Sequence, residues 1–381
     1  MKKTLIVTLE FPPTVGGIAT YVHDMANAMD PSKTIVLTPE HKEQKQFDGR
    51  QRYKILRKKL FSPKFIWPRW WKLVRHVKKI VKQEEIELIM VHHVLPAGYA
   101  AILRKKFGKI PFLLFSHGTD LVAGTATKWK KRMVTMVSQH ADQIVFNSES
   151  LKRRFLRVLP QFEEKSLVLY PCPNPSFLQS PDPKELDALK ARYALKGKNV
   201  ILSVSRLAEG KGFPHLLRMM PEVLEKAPHT VWMIVGDGPK KDDLIKQIQE
   251  MNLQNVIRFI GETPHKDIKK YYYLADLFVL LTHPDEGREE GLGLVFLEAA
   301  AAGLPVVAGR SGGVEEAVKD KETGLVVDLR AQAKDIPAMI SELLNNPEEL
   351  AEVGERAKDR IRSDFVWEYQ LNKLKPWLQD E

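Results

Sequence analysis

The sequence predicts an α/β protein built from two doubly wound parallel-sheet domains. Three observations carry this reading. Short apolar runs alternate with segments of helical spacing, the pattern of a parallel sheet buried on both faces. The alternation stops once, at PCPNPSFLQSPDP (171–183), and then resumes. The chain has 381 residues, too many for one domain of ordinary size and suited to two.

In chain order, TLIVTL (4–9), TIVLT (34–38), ELIMVHH (87–93), PFLLFSHG (111–118), QIVFNS (143–148) and SLVLY (166–170) are the expected strands of the first domain. IATYVHDMANAM (18–29) has the spacing of a helix between two of them. Five prolines in the thirteen residues 171–183 can continue neither a helix nor a central strand, so this stretch is the expected linker. NVILSVS (199–205), TVWMIVG (230–236), NVIRFIG (255–261), DLFVLLT (276–282), LPVVAG (304–309) and GLVVD (324–328) are the expected strands of the second domain. DFVWEYQLNKLKPWL (364–378) reads as an aromatic-rich helix able to pack on either domain. The expected boundaries are 1–175, 176–363 and 364–381.

Composition is that of a globular protein, 44% hydrophobic and 28% charged, with no low-complexity tract. The single Cys172 excludes an intramolecular disulfide and a cysteine zinc cluster, and suits a reducing cytoplasm. MKKTLIVTLEFPP imitates a signal peptide, but its apolar part is short, Glu10 interrupts it and no small-residue cleavage site follows. No run of 18 apolar residues exists to span a membrane. Charge is uneven. Residues 1–175 hold 31 Lys and Arg against 14 Asp and Glu, while the remainder holds 28 against 34. Residues 50–82 hold 13 Lys and Arg, no acid, and Trp67, Trp70 and Trp71. Such a field attracts a polyanion: a membrane surface, a nucleic acid or a phosphorylated substrate.

Ligands of open α/β sheets bind beyond the carboxyl ends of the strands, and the candidate residues fall there. Gly16 and Gly17 separate the first strand from a helix. They allow close backbone approach and offer N–H groups to an anion, in neither a GxGxxG nor a Walker A pattern. His117 and Gly118 close the strand that ends in SHG, without the context of a serine nucleophile for Ser116. His92 and His93 end another strand with no metal-ligand spacing around them, and read as structural or acceptor-side. In SRLAEGKGF, Arg206 and Lys211 give a fork and a point charge suited to a diphosphate. Asp237 in VGDGPKKDDL reads as a structural turn residue. In EEGLGLVFLEAAAAG a helix begins near Gly291–Gly293 and ends around Ala302 and Gly303. Glu290 then stands at the helix mouth, with the N–H groups of Gly291, Leu292, Gly293 and Leu294 turned to an anion. Glu298 follows about two turns later, and a carboxylate suits a ribose diol. The plainer readings are an ordinary turn, a satisfied histidine, a solvated basic loop, a helix-dipole partner and a surface carboxylate. The joint placement of these residues at strand ends weighs against the plainer set.

Taken together, GG after the first strand, HG at 117–118, SRL…KG at 205–212, and Glu290 and Glu298 followed by AAAAGLPVVAG resemble the retaining glycosyltransferases of family 4. EFPPTVGGIATYVHD and EGREEGLGLVFLEA are similar to the bacterial phosphatidylinositol-mannoside mannosyltransferases. The resemblance implies the GT-B fold, with two Rossmann-like domains facing a cleft. It implies an acceptor on the N-terminal domain, a GDP- or UDP-linked sugar donor on the C-terminal one, and a terminal helix crossing back to the first. It also implies no divalent metal.

By the same resemblance, Arg206 and Lys211 meet the leaving diphosphate, helped by Gly17 and the N–H groups after Glu290. Glu290 holds the sugar hydroxyls, Glu298 the ribose, and His117 the sugar near its 6-position, with Gly16 and Gly118 completing the donor-binding set. Retention suggests front-face displacement, with Glu290 as a covalent nucleophile the alternative. Two departures stand out: YPCPNPSF replaces an Asn-Gly turn, and Glu10 stands where relatives often carry Asp.

The reaction implied is transfer of a mannose- or glucose-type hexosyl group to a lipid-linked or other glycan acceptor. The basic, Trp-bearing segment points to a cytoplasmic enzyme peripheral on the inner membrane face, with no nucleic-acid partner. A nucleotide-sugar epimerase or glycan phosphorylase of the same fold fits SRL…KG with Glu290 and Glu298 less well. A basic nucleic-acid- or membrane-binding protein without catalysis leaves the two acids unexplained.

Overall fold

A computed structural model of the chain describes residues 1–63, 65–118, 124, 127–285 and 289–379. The chain separates into two compact units. One is Met1–Pro171 together with the segment from Trp367 onward, and the other is Cys172–Val366.

The first unit is built on β1 (Thr4–Val7), β2 (Thr34–Pro39), β3 (Lys54–Lys58), β4 (Leu88–Val91), β5 (Phe112–Ser116), β6 (Gln143–Phe146) and β7 (Ser166–Val168). They form one sheet in the order β3-β2-β1-β4-β5-β6-β7, with every pair parallel. Helices cover both faces, so Leu5 and Ile6 on opposite faces of β1 are both fully buried. This is why the inner strands read as unbroken apolar runs. β3 is absent from the expected strands and corrects that reading. It lies inside the basic stretch as KILRK, with exposed ends and no fully buried residue. An edge strand needs little apolar surface and tolerates lysine, so it leaves a weak trace in the sequence.

The second unit contains β8 (Asn199–Val204), β9 (Thr230–Val235), β10 (Ile257–Gly261), β11 (Leu277–Leu280), β12 (Val306–Gly309) and β13 (Leu325–Val327). Their order is β10-β9-β8-β11-β12-β13, again all parallel. The direction of winding reverses between β1 and β4 in one sheet and between β8 and β11 in the other. These are the switch points where loops part and ligands of such sheets are received.

Residues 171–183 run in extended conformation around a short 3-10 turn, Pro175–Leu178. The next helix, Pro183–Arg192, starts with Asp182 accepting from the Lys184 N–H at 2.9 Å and with Pro183 in its first turn. The tail is two short helices, Trp367–Asn372 and Lys375–Leu378, instead of one over 364–378. Pro376 has no N–H for an uninterrupted helix and fits only near a helix start. The tail packs within the first unit. The Lys2 N–H donates to the Leu378 carbonyl at 2.6 Å, the Tyr170 N–H to Gln370 at 3.0 Å, and Trp367 sits edge-on to Tyr21. Among the described residues no helix is long and apolar enough to cross a membrane.

Candidate active site

In the second unit, Lys211 and Glu290 meet. The Lys211 ammonium donates to Glu290 Oε2 at 2.6 Å across 79 residues of sequence. Each partner is held by backbone. Gly212 caps the helix Phe213–Lys226 with φ 78°, packed on the Leu281 carbonyl. The His283 N–H donates to Gly210 O at 3.0 Å, so the loop carrying Lys211 lies on the chain leaving β11. The Glu290 N–H donates to Ser311 Oγ at 3.1 Å, and its carbonyl accepts from the Gly313 N–H at 3.0 Å. Gly312 has φ 55°, and a Cβ on it would run into that same carbonyl. The Ser311–Gly313 turn after β12 therefore fixes Glu290. Sequence reading missed it, although SGG directly after an apolar run was the available signal. Arg206 is exposed and makes no ion pair or hydrogen bond among the described residues.

The helix Leu294–Ala301 opens at Gly293, whose φ is 87°. The N–H groups of Gly291, Leu292, Gly293 and Leu294 find no acceptor among the described residues. Glu298 is buried, which sets aside the plainer reading as a surface carboxylate, since only 2% of its surface is accessible. A buried carboxylate is costly unless hydrogen-bonded. Here His265 Nε2 lies 2.7 Å from Oε1, and the Tyr272 hydroxyl donates to Oε2 at 2.8 Å. Burial first, and then the Glu298 charge, push the Tyr272 phenol well above its ordinary range, which keeps it a donor. Both residues come from the helix His265–Leu274 and were not singled out from sequence. Phe177, from the proline-rich stretch, packs against both rings at 5.6 and 5.7 Å.

In the first unit, His117 lies just past β5 with its Nε2 3.1 Å from His92 Nδ1. Its ring is edge-on to Tyr21 at 5.0 Å. Tyr21 belongs to the helix Gly17–Ala28, so the elements carrying GG and HG meet through it. Burial, and then His93, pull His117 down to about 3. Burial, and then His117, hold His92 well below its ordinary value, so both rings are neutral near pH 7. The Leu9 N–H donates to His93 Nδ1 at 3.3 Å, which leaves the His93 proton on Nε2, 3.7 Å from Glu10. A Cβ on Gly16 would meet only Glu10, at an ordinary 3.6 Å, and one on Gly17 would meet nothing within 4 Å. The chain itself thus demands glycine at neither position. Gly118 follows His117 at the edge of the described residues.

Asp237 accepts from the Gly238 N–H and pairs with Lys241 at 2.7 Å, the structural turn expected. The basic stretch divides its tryptophans. Trp67 is 85% exposed and Trp71 45%, while Trp70 packs on Tyr99 at 4.7 Å. Among the described residues no group of three or more His, Cys, Asp or Glu is placed to hold a metal ion.

Comparison with known proteins gives the family. The family described as Glycosyl transferases group 1 matches residues 187–360, and Glycosyltransferase Family 4 matches residues 15–176. The chain is 27% identical to a GDP-mannose-dependent alpha-(1-6)-phosphatidylinositol monomannoside mannosyltransferase of Mycolicibacterium smegmatis, over 95% of this chain and 94% of that one. A GDP-mannose-dependent monoacylated alpha-(1-6)-phosphatidylinositol monomannoside mannosyltransferase of Corynebacterium glutamicum matches at 27% over 100% and 98%. The crystal structure of HepE from Anabaena in complex with UDP and glucose has the same fold, with TM-score 0.80, 19% identity and 99% of both chains covered. The two family matches fall one on each sheet-bearing unit, and with them the chain belongs to the group 1 glycosyltransferases of family 4, enzymes of the GT-B fold that transfer sugar from a nucleotide-sugar donor.

Proposed function

We propose that this enzyme moves a mannosyl group, with retention, from GDP-mannose to a lipid-linked glycan acceptor at an anionic membrane surface. The pairing of Lys211 with Glu290 beside four open amides carries the reading. It puts a cation, a carboxylate and a helix N-terminus at one point, as a sugar diphosphate requires. Lys211 spends one of its three N–H groups on Glu290 and keeps two for phosphate oxygens. Arg206 adds a fork. The amides of Gly291, Leu292, Gly293 and Leu294 take the remaining phosphate charge, Glu290 accepts from the sugar hydroxyls, and Glu298 accepts from the ribose. In the first unit, His117 meets the sugar near its 6-position, and Gly16, Gly17 and Gly118 let backbone come close to the donor.

The acceptor hydroxyl oxygen forms its bond to the anomeric carbon as the bond from that carbon to the phosphate oxygen breaks. The acceptor proton goes to the departing phosphate oxygen on the same face. No side chain takes the proton. A carboxylate already engaged by an ammonium is a weaker nucleophile, which favours this course over a covalent intermediate on Glu290. The charge of the leaving group is met by Lys211, Arg206 and the amides, so a divalent metal is not part of the proposal.

Mannose and GDP are favoured by the two relatives, which match over the full chain, and the exposed Phe65, Trp67 and Trp71 among lysines and arginines favour an anionic lipid surface. The test is transfer from GDP-mannose by the wild type, Glu290→Ala and Lys211→Ala, in EDTA. Each variant is expected to fold and to lose about 100-fold or more in kcat, with wild-type activity surviving the chelator. Two fully active variants would remove the site assignment. A larger thermal shift with UDP or ADP than with GDP would remove the choice of donor.

A further inference from the structure

The first unit sets a fully buried histidine beside a half-buried one, and their protons have only one economical arrangement. His92 closes β4 and is fully buried, with its ring 4.2 Å from Phe115 and 19° from parallel to it. His117 lies beside it with ring centroids 5.4 Å apart, planes 14° apart and facing nitrogens 3.1 Å apart. The centroid separation exceeds the nitrogen separation by about two ring radii. The rings therefore meet edge to edge in nearly one plane instead of stacking, with the lone pair of one nitrogen along the N–H of the other. One nitrogen must donate and one accept. Burial keeps both rings neutral, so each carries a single proton.

Two arrangements are possible. If His117 Nε2 donates, His92 Nδ1 accepts and the His92 proton sits on Nε2. That atom is buried with no hydrogen-bond partner among the described residues. If His92 Nδ1 donates, its Nε2 is a bare lone pair and His117 carries its proton on Nδ1. Orphaned buried N–H groups are rarer in native folds than under-satisfied acceptors, so the second arrangement is favoured.

We infer that His92 is a positioning residue that donates from Nδ1 to His117 Nε2 and thereby fixes His117 as its Nδ1–H tautomer. With Nε2 occupied, His117 offers a ligand one N–H and no basic nitrogen. On the reading of His117 as a donor-sugar contact, it then donates to a sugar oxygen and cannot take the acceptor proton. This agrees with a proton that leaves on the phosphate. Tyr21 against His117 and Phe115 against His92 keep both rings from turning.

The tautomer is read directly by NMR of the full chain with ¹⁵N-labelled histidine near pH 7.5, without ligand. Spectra of His92→Asn and His117→Asn assign the signals. Protonated Nδ1 and unprotonated Nε2 on His117 are expected. A proton on His117 Nε2 overturns the inference. The role is then tested by kinetics. His92→Phe keeps the ring and loses the donor, whereas His92→Asn keeps an N–H near the position of Nδ1. kcat is expected to fall about tenfold or more in the Phe variant and to recover in the Asn variant, with KM for the donor nearly unchanged. Equal losses in the two variants overturn the positioning role. Because the NMR result needs no substrate, it can fail while the transferase reading stands. An unchanged rate in His117→Asn would instead sink the contact between His117 and the donor.

Discussion

At the scale of single residues, the carboxylates of the second unit differ in what holds them. Glu290 is fixed through its loop backbone and pairs with one cation, while the carboxylate of Glu298, carried on a helix, is fixed by two side-chain partners. Tyr272→Phe strips a donor from a buried carboxylate oxygen, which costs about 1–3 kcal/mol. A higher donor KM and a lower Tm are expected together, measured by initial rates and thermal denaturation. An unchanged KM would mean that Glu298 does not face the donor. Gly312→Ala forces a side chain into a left-handed backbone position and into the Glu290 carbonyl. The expected cost is about 1–3 kcal/mol of stability, with a loss of transfer as Glu290 shifts. Denaturant titration and kinetics together check it. The histidine pair adds a pH dependence. Both rings are neutral in the fold, but in the unfolded chain each protonates below about 6.5. The unfolded state then binds more protons, so the stability from this pair is whole above pH 6.5 and is lost as pH falls toward 3. Urea unfolding at pH 7.5 and 5.5 should show the drop, and His117→Asn should flatten it. A drop of equal size in that variant would assign the dependence elsewhere.

At the scale of elements, the edge strand β3 has a task its sequence does not announce. Its Arg57 side chain is nearly buried and donates to both Asp48 oxygens and to the Pro12 and Pro39 carbonyls. It thus ties the loop after β1, which leads to Gly16 and Gly17, to the edge of the sheet. Arg57→Ala leaves Asp48 without its cation and two carbonyls without a donor. Because Asp48 is partly solvated, the expected loss is about 2–3 kcal/mol, less than for a fully buried pair that is broken. Arg57→Lys should recover only part of it, because a point charge cannot fork. Recovery to wild-type stability by lysine, measured as the urea midpoint, would refute this account.

At the scale of the whole molecule, cations are in excess in the first half of the chain and not in the second, and the proposed membrane contact rests on that excess. Vesicle flotation gives the test. Binding to anionic vesicles at low salt, little binding to neutral ones and release as salt rises are expected. Equal recovery on both vesicle types would remove the membrane proposal. Trp67→Ala should weaken binding without altering Tm, since that ring is 85% exposed and takes no part in the core.

Alternation of apolar runs with helical spacing, repeated on either side of a proline-rich break, was enough for the fold class. Parallel strands buried on both faces cannot avoid that signature. The motifs at strand ends singled out Arg206, Lys211, Glu290 and His117 as candidates, because ligands of such sheets are received where strands stop. Tertiary structure decided what those residues touch. That Lys211 meets Glu290 depends on a ladder bringing β8 beside β11. That Glu298 is buried against His265 and Tyr272, and that His92 faces His117, depends on helices and strands distant in sequence packing side by side. A hydrogen bond between such side chains leaves no periodicity behind. β3 escaped notice for a related reason, since an edge strand of KILRK buries too little to impose the apolar pattern by which inner strands are recognised.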